Sequence, residues 1–213
     1  MRYKRNQVEE AIVRTLRARD ARVNELKLRL KRLLVTDRRL DRDAESDERS
    51  KVRYAFFSEG PPGSGVEIMF SRYETFALLA ALKVLEHGIP QAGVVRVMRR
   101  VRRKLEAAHA QILQKDPGAL FDQQAILAQA KPGMIATDNT DPVFLVFIRL
   151  PGSEVGAEPG GSAVAVCQGR DELAAFVKKH SVLGMSATFF EFVRMMHTLA
   201  DNLAQTRPVK RGR

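Results

Sequence analysis

The sequence predicts an α+β protein with a mainly helical N-terminal half and a smaller C-terminal α+β domain. Three observations carry this prediction. Apolar residues recur at spacings of three and four through residues 6–34 and 71–114, which is the period of amphipathic helices. A continuous apolar run, Val143–Ile148, is typical of a strand buried on both faces. The β-prone run Ala163–Cys167 follows it and is expected to pair with it antiparallel.

The composition favours a polyanionic partner. The 213 residues include 36 Lys and Arg against 25 Asp and Glu, which gives a net charge of +11. Nucleic acid or an anionic membrane surface would suit such a chain. The longest apolar run is too short to cross a bilayer, and charge follows Met1 where a signal peptide would be apolar. We therefore expect a cytoplasmic protein with no membrane partner.

The first two predicted helices form a short helical pair. One is expected from about residue 6 to 18. The second begins at Asp20 and carries the apolar stripe Leu26, Leu30 and Leu33. Two helices joined by a short turn, the second of them basic, resemble a helix-turn-helix. The basic side chains of the second helix lie mostly off the stripe, where they either contact DNA or form a solvated face.

A loop and a β-hairpin are predicted next. Residues 37–51 are rich in charge and contain one leucine, so we expect an exposed, partly mobile loop. The β-prone runs 52–57 and 65–70 flank a Gly/Pro-rich turn and predict a hairpin. The turn starts like a phosphate-binding loop, but Val66 and Glu67 stand where that loop needs Lys and Ser or Thr. It is therefore interpreted as a hairpin tip.

Residues 71–114 predict a helical hairpin around which the rest of the chain is organised. Ser71 and Glu74 have the spacing of a capping box. Gly88 suits the end of the first helix, and Pro90 suits the first turn of the second. The second helix should have one buried face, and basic residues crowd the rest of it: Arg96, Arg99, Arg100, Arg102, Arg103 and Lys104.

This order of elements resembles the MerR-type winged-helix regulators over roughly residues 4–105. The matching segments are Phe70-Ser71-Arg72-Tyr73-Glu74 and the turn from His87 to Val95. The resemblance implies a winged helix-turn-helix fold in which the hairpin is the wing. It also implies that the long helix after the winged domain pairs with its mate in a homodimer. That pairing would use Val101, Leu105, Ala108 and Ile112.

The remaining chain divides into a linker, a domain and a tail. The predicted boundaries are 1–115 for the DNA-binding domain, 116–140 for a linker with a short helix at 120–130, 141–206 for a dimerisation or sensor domain, and 207–213 for a basic tail. Within the C-terminal domain, helices are expected at 170–180 and at 185–203, the second capped by Ser186.

No catalytic or metal-binding constellation is evident in the sequence. The four histidines lack metal-ligand spacing. Cys167, the only cysteine, excludes an intrachain disulfide and a Cys-based zinc site, and it is expected to be a buried thiol. We therefore expect a protein that is not an enzyme and uses no metal and no cofactor.

The leading hypothesis is a sequence-specific DNA-binding transcription regulator. Its partners would be double-stranded DNA, a second copy of the chain, and possible protein partners at the C-terminal domain. The alternative is a protein-interaction adaptor that docks an acidic partner through the Arg-rich helix 94–114. The residues expected to contact DNA are Arg22, Lys27, Arg29, Lys31, Arg32, Arg53, Arg99 and Arg103.

Overall fold

The computed structural model describes residues 1–42, 53–58, 68–149 and 162–208. The chain divides into two compact units, one of residues 1–102 with 198–213 and one of residues 103–197. The architecture is α+β with small antiparallel sheets, as the sequence predicts. The elements, in chain order, are β1 (Tyr3–Lys4), α1 (Arg5–Thr15), α2 (Asp20–Arg42), β2 (Met69–Phe70), α3 (Arg72–Leu85), α4 (Gln91–Ile112), α5 (Pro117–Leu120), α6 (Gln123–Gln129), β3 (Val143–Arg149), β4 (Ser162–Gln168), α7 (Gly169–Lys179), β5 (Ser186–Glu191) and α8 (Val193–Gln205).

Helix α3 forms the core of the first unit. Every residue from Tyr73 to Leu82 is buried, as expected of a helix that is apolar on all sides and packed within a core. Its first turn has the predicted capping box. The Ser71 hydroxyl accepts the N–H of Glu74 at 3.1 Å, and the Glu74 carboxylate accepts the N–H of Ser71 at 2.6 Å.

The predicted helical hairpin is confirmed. Gly88 has a φ of 76°, in the left-handed region that favours glycine at the end of a helix. Helix α4 begins directly after Pro90. Its apolar residues Val94, Val95 and Met98 are fully buried, so this face of α4 joins the core that surrounds α3.

Helix α2 is longer than the sequence predicts. It runs to Arg42, so the expected loop is wrong for residues 37–42, whereas residues 43–51 lie outside the described part. The physical reason is that Asp37 continues the buried spacing of Leu26, Leu30 and Leu33 by one more turn, and its side chain is fully buried. Asp37 can occupy this buried position because the Arg99 side chain and the N–H groups of Ala55 and Phe56 donate to its carboxylate.

The predicted hairpin, in which residues 52–57 pair with residues 65–70, does not form as expected in the described residues. Residues 53–58 form no strand. The short strand Met69–Phe70 instead pairs antiparallel with Tyr3–Lys4 near the start of the chain. Residues 59–67, which include the predicted hairpin tip, lie outside the described part. The prediction is therefore wrong for the strand partner, because residues 53–58 bond to buried side chains rather than to a neighbouring strand.

The end of α8 belongs to the first unit. The Asn202 side-chain amide donates to the Thr15 hydroxyl at 3.0 Å. The Gln7 side-chain amide donates to the carbonyl and the hydroxyl of Thr206, both at 3.3 Å. The structure thus groups residues 198–208 with α1, whereas the sequence predicted that residues 198–206 belong to the C-terminal domain.

The second unit is built on a three-stranded antiparallel sheet of order β4–β3–β5. The predicted strands and their antiparallel pairing are confirmed, with Phe144 opposite Cys167. Strand β3 is buried from Val143 to Ile148, as a strand covered on both faces should be. Helix α7 packs on one face of the sheet, where Leu173 joins a cluster with Phe144, Val146 and Cys167.

Two helix predictions in the second unit are wrong in extent. The single helix expected at 185–203 is strand β5 followed by α8, because the β-branched and aromatic run Thr188–Phe190 pairs with the free edge of β3. Ser186 therefore does not cap a helix, and Glu191 instead accepts the N–H of Val193 at 2.9 Å. In place of the single helix expected at 120–130, the structure has two short helices, α5 and α6. Asp116 caps the first turn of α5, and Asp122 caps the first turn of α6.

Candidate nucleic-acid interface

A buried ion pair fixes the inner face of α2. The Asp37 carboxylate lies 2.9 Å from Nε of Arg99 on α4. It also accepts the N–H groups of Ala55 and Phe56 at 3.1 and 2.9 Å. Burial raises the pKa of the Asp37 carboxyl, and these N–H donors with the Arg99 guanidinium partly offset the rise. One carboxylate thereby joins α2, α4 and the segment 53–58.

A second buried cation completes this arrangement. Arg102 donates through Nη1 to the carbonyl oxygens of Tyr54 at 2.7 Å and Phe57 at 2.6 Å. Its Nη2 lies 3.8 Å from the Glu74 carboxylate, which also accepts the Ser58 hydroxyl at 2.7 Å. Asp37 and Arg102 thus make hydrogen bonds with backbone groups of residues 54–57, a buried segment without regular secondary structure. Without these side chains, the backbone groups would lack partners. This network anchors the inner side of α2 to a rigid core.

This network corrects the predicted role of Arg99. The side chain is 10% exposed, and both Nε and Nη2 donate to Asp37. A guanidinium held in this way is a structural group and is not available to a nucleic acid. Arg102, which the sequence placed on the cationic face of the same helix, is likewise buried.

The outward face of α2 carries three of the predicted basic residues. Four of the five predicted on this helix, Arg22, Lys27, Lys31 and Arg32, are exposed, and none of these four side chains forms an ion pair with another described residue. At 100° per residue, Lys27 and Lys31 lie on one flank of the face that points away from the core, and Arg32 lies on the other. Arg22 lies one turn before the buried Leu26, and therefore beside the buried stripe rather than on this face. The helix therefore presents cations on both flanks of one exposed face.

Polar and apolar side chains lie between these flanks. Leu28 is 46% exposed and Val35 is 37% exposed. They are seven residues apart, so they lie on the same line along the helix. Asn24 is exposed one turn before Leu28 on the same face. The centre of the face can thus make hydrogen bonds and apolar contacts, while its flanks make charge contacts.

The remaining predicted residues have other surroundings. Arg29 forms an exposed ion pair with Glu25 at 2.5 Å. Arg53 is exposed, with its guanidinium carbon 5.4 Å from the centre of the Tyr54 ring. Arg103 is exposed on the part of α4 that belongs to the second unit. The structure therefore brings Lys27, Lys31 and Arg32 together on one surface of α2, and it assigns Arg103 to the other compact unit.

The sequence interpretation missed two residues that define this surface. Arg39 is exposed and extends the cationic flank of Arg32 by two turns, but it was assigned to a loop. Asp37 was assigned to the same loop, although it anchors the opposite side of the helix. The signal that could have found both is the period of Leu26, Leu30 and Leu33, which continues at residue 37.

Other chemistry in the described part offers no competing site. Within its ranges, no group of three or more His, Cys, Asp and Glu residues is placed to hold a metal ion. Burial and the Glu172 carboxylate raise the pKa of the Cys167 thiol, which disfavours the reactive thiolate. No described helix combines the length and the apolar character that a bilayer crossing requires.

The chain was compared with known proteins at the level of family, sequence and structure. None of the comparisons, with models of protein families, with curated proteins or with solved structures, finds a match.

Proposed function

We propose that the protein is a sequence-specific, DNA-binding transcription regulator of the cytoplasm, and that the outward face of α2 contacts duplex DNA. The observation that carries this proposal is a single 23-residue helix with exposed cations on both flanks of one face. In the described residues these side chains have no ion-pair partners, so a polyanion would be their natural counter-charge. The cations are Lys27, Lys31, Arg32 and Arg39.

The dimensions of α2 suit the major groove. A helix of this length is about 35 Å long, and the groove of B-DNA is about 12 Å wide and admits one helix. In this pose the two cationic flanks reach the phosphates on either side of the groove and set affinity and register. Asn24 and Leu28 then face the base edges, where an amide recognises adenine and an aliphatic side chain contacts the thymine methyl group.

We further propose that α1 and α2 act as a helix-turn-helix of the MerR type. The short connection of residues 16–19 supports this proposal, and so do the capping box and the glycine turn of the α3–α4 hairpin. The buried network behind α2 would hold the reading helix at a fixed orientation. A rigid support of this kind favours recognition because little ordering is required on binding.

The adaptor alternative has weaker support from the contacts. It relies on the basic residues of α4, yet Arg99 and Arg102 donate to groups inside the protein. This leaves fewer cations on α4 for an acidic partner, whereas Lys27, Lys31 and Arg32 of α2 are exposed.

Fluorescence anisotropy with a labelled random-sequence DNA duplex tests the proposal. We expect binding that is strong at low salt and that weakens to a dissociation constant of about 10⁻⁶–10⁻⁴ M at physiological salt. Polyglutamate of matched charge serves as the acidic-protein mimic. Absence of duplex binding at low salt would contradict DNA recognition, and binding to polyglutamate alone would support the adaptor.

A further inference from the structure

The dimer surface that the sequence predicts is occupied by the fold itself. Val101, Leu105, Ala108 and Ile112 were expected to pair with the same helix of a second chain. All four are at most 5% exposed in the single chain. A second copy could reach them only by opening the core, so a dimer would require a different surface.

Strand β5 offers an open edge. It lies at the end of the sheet and pairs with β3 on one side. Its residues Ser186 to Phe189 are exposed, and no other described strand pairs with its far side. Natural proteins protect such edges with Lys, Pro or a bulge, whereas Ser186–Glu191 contains no Lys and no proline, and its one charged residue is the final Glu191. The backbone of β5 is thus available for further strand pairing.

The chain segment that leads into this edge and forms most of it carries no charge. Phe189 is 41% exposed although its ring makes an edge-to-face contact with Phe144, with the ring centres 6.0 Å apart. In the loop that leads into β5, Val182 is 51% exposed and Leu183 is 99% exposed. Residues 181–190 contain no charged side chain, in a protein whose net charge is +11. Two copies that repel one another elsewhere could approach here without placing like charges in contact.

We infer that β5 pairs antiparallel with β5 of a second copy, so that two three-stranded sheets become one six-stranded sheet. An edge strand is complementary to itself under a two-fold axis perpendicular to the sheet. Residues that share a face then lie opposite one another, so the exposed Phe189 meets Phe189 or Ala187 of the second copy. Thr188 lies beside or diagonal to its own counterpart. This inference does not depend on DNA binding.

The interface is small. It consists of one six-residue strand and a few apolar side chains around it, which places it at the low end of specific protein interfaces. The dimer is therefore expected to form reversibly, with a dissociation constant on the order of micromolar rather than nanomolar.

Sedimentation velocity with charged variants at Thr188 tests the inference. The wild-type protein should change from monomer to dimer as its concentration passes through the micromolar range. Thr188→Lys and Thr188→Glu should each raise the dissociation constant by at least about tenfold, because like charges come together at the axis. An equimolar mixture of the two variants should dimerise again, because each pair then brings opposite charges together.

Ala174→Lys is the matched control. Ala174 is exposed on α7 of the same unit, and this variant should dimerise as the wild type does. Recovery in the mixture also shows that both Thr188 variants are folded. The inference is overturned if the wild type stays monomeric at all concentrations, if Thr188→Lys dimerises like the wild type, or if the mixture stays monomeric.

Discussion

Replacing Asp37 by alanine is expected to lower the free energy of unfolding by about 3–5 kcal/mol. The substitution removes a fully buried carboxylate. The Arg99 guanidinium then remains in the core without a counter-charge, and the N–H groups of Ala55 and Phe56 lose their acceptor. Removing one partner of a buried ion pair costs far more than removing an exposed charge, because the remaining group stays desolvated.

Urea unfolding followed by circular dichroism measures this effect. Asp37→Asn, which keeps the volume and one acceptor oxygen, should fall between the wild type and Asp37→Ala. Arg100→Ala is the control, since Arg100 is exposed and adjacent to Arg99 in α4, and its effect should stay within about 0.5 kcal/mol. A loss below about 1 kcal/mol for Asp37→Ala would contradict the structural role of the network.

Charge reversal at Lys27 and Lys31 is expected to weaken duplex binding by at least about a hundredfold. Each lysine is exposed on the same flank of α2, and each Glu places a negative charge near a DNA phosphate. The thermal unfolding midpoint should remain close to that of the wild type, because neither side chain forms an ion pair with another described residue. Fluorescence anisotropy measures the binding, and circular dichroism measures the midpoint.

The control is Lys178→Glu/Lys179→Glu on α7. Both residues are exposed in the second unit, and the change in net charge is the same as in the α2 variant. We expect only a small loss of affinity, because these positions lie outside the proposed contact surface. Equal losses in the two double variants would mean that net charge, rather than the face of α2, determines binding.

Local sequence signals predicted much of the fold. The capping box of Ser71 and Glu74, the glycine turn at Gly88 and the apolar run of β3 depend on neighbouring residues, and all three are confirmed. Strand β5 could not be found in this way. The Phe-rich run 189–193 has the spacing of an amphipathic helix as well, and only the free edge of β3 determines that residues 186–191 are extended.

The same limit applies to the candidate site. The apolar stripe of α2 is clear in the sequence, so the helical period alone predicts that Lys27, Lys31 and Arg32 lie off this stripe and are exposed. Helical spacing places Arg102 seven residues after the buried Val95 and Arg100 on the opposite side of α4, but it does not identify the groups to which Arg99 and Arg102 bond. Their burial depends on Asp37 and on carbonyl groups of residues 54 and 57, which lie 45–62 residues away in the chain. No local pattern encodes such contacts.

The most direct test of DNA recognition by α2 is the salt dependence of duplex binding for the wild type and for Lys27→Ala/Lys31→Ala. Each lysine that neutralises a phosphate contributes about 0.9 to the slope of log K against log salt concentration. If both lysines contact phosphates, the slope of the variant should be shallower by about 1.8 while binding is still measurable. An unchanged slope would contradict the account, because it would mean that these lysines do not touch the DNA.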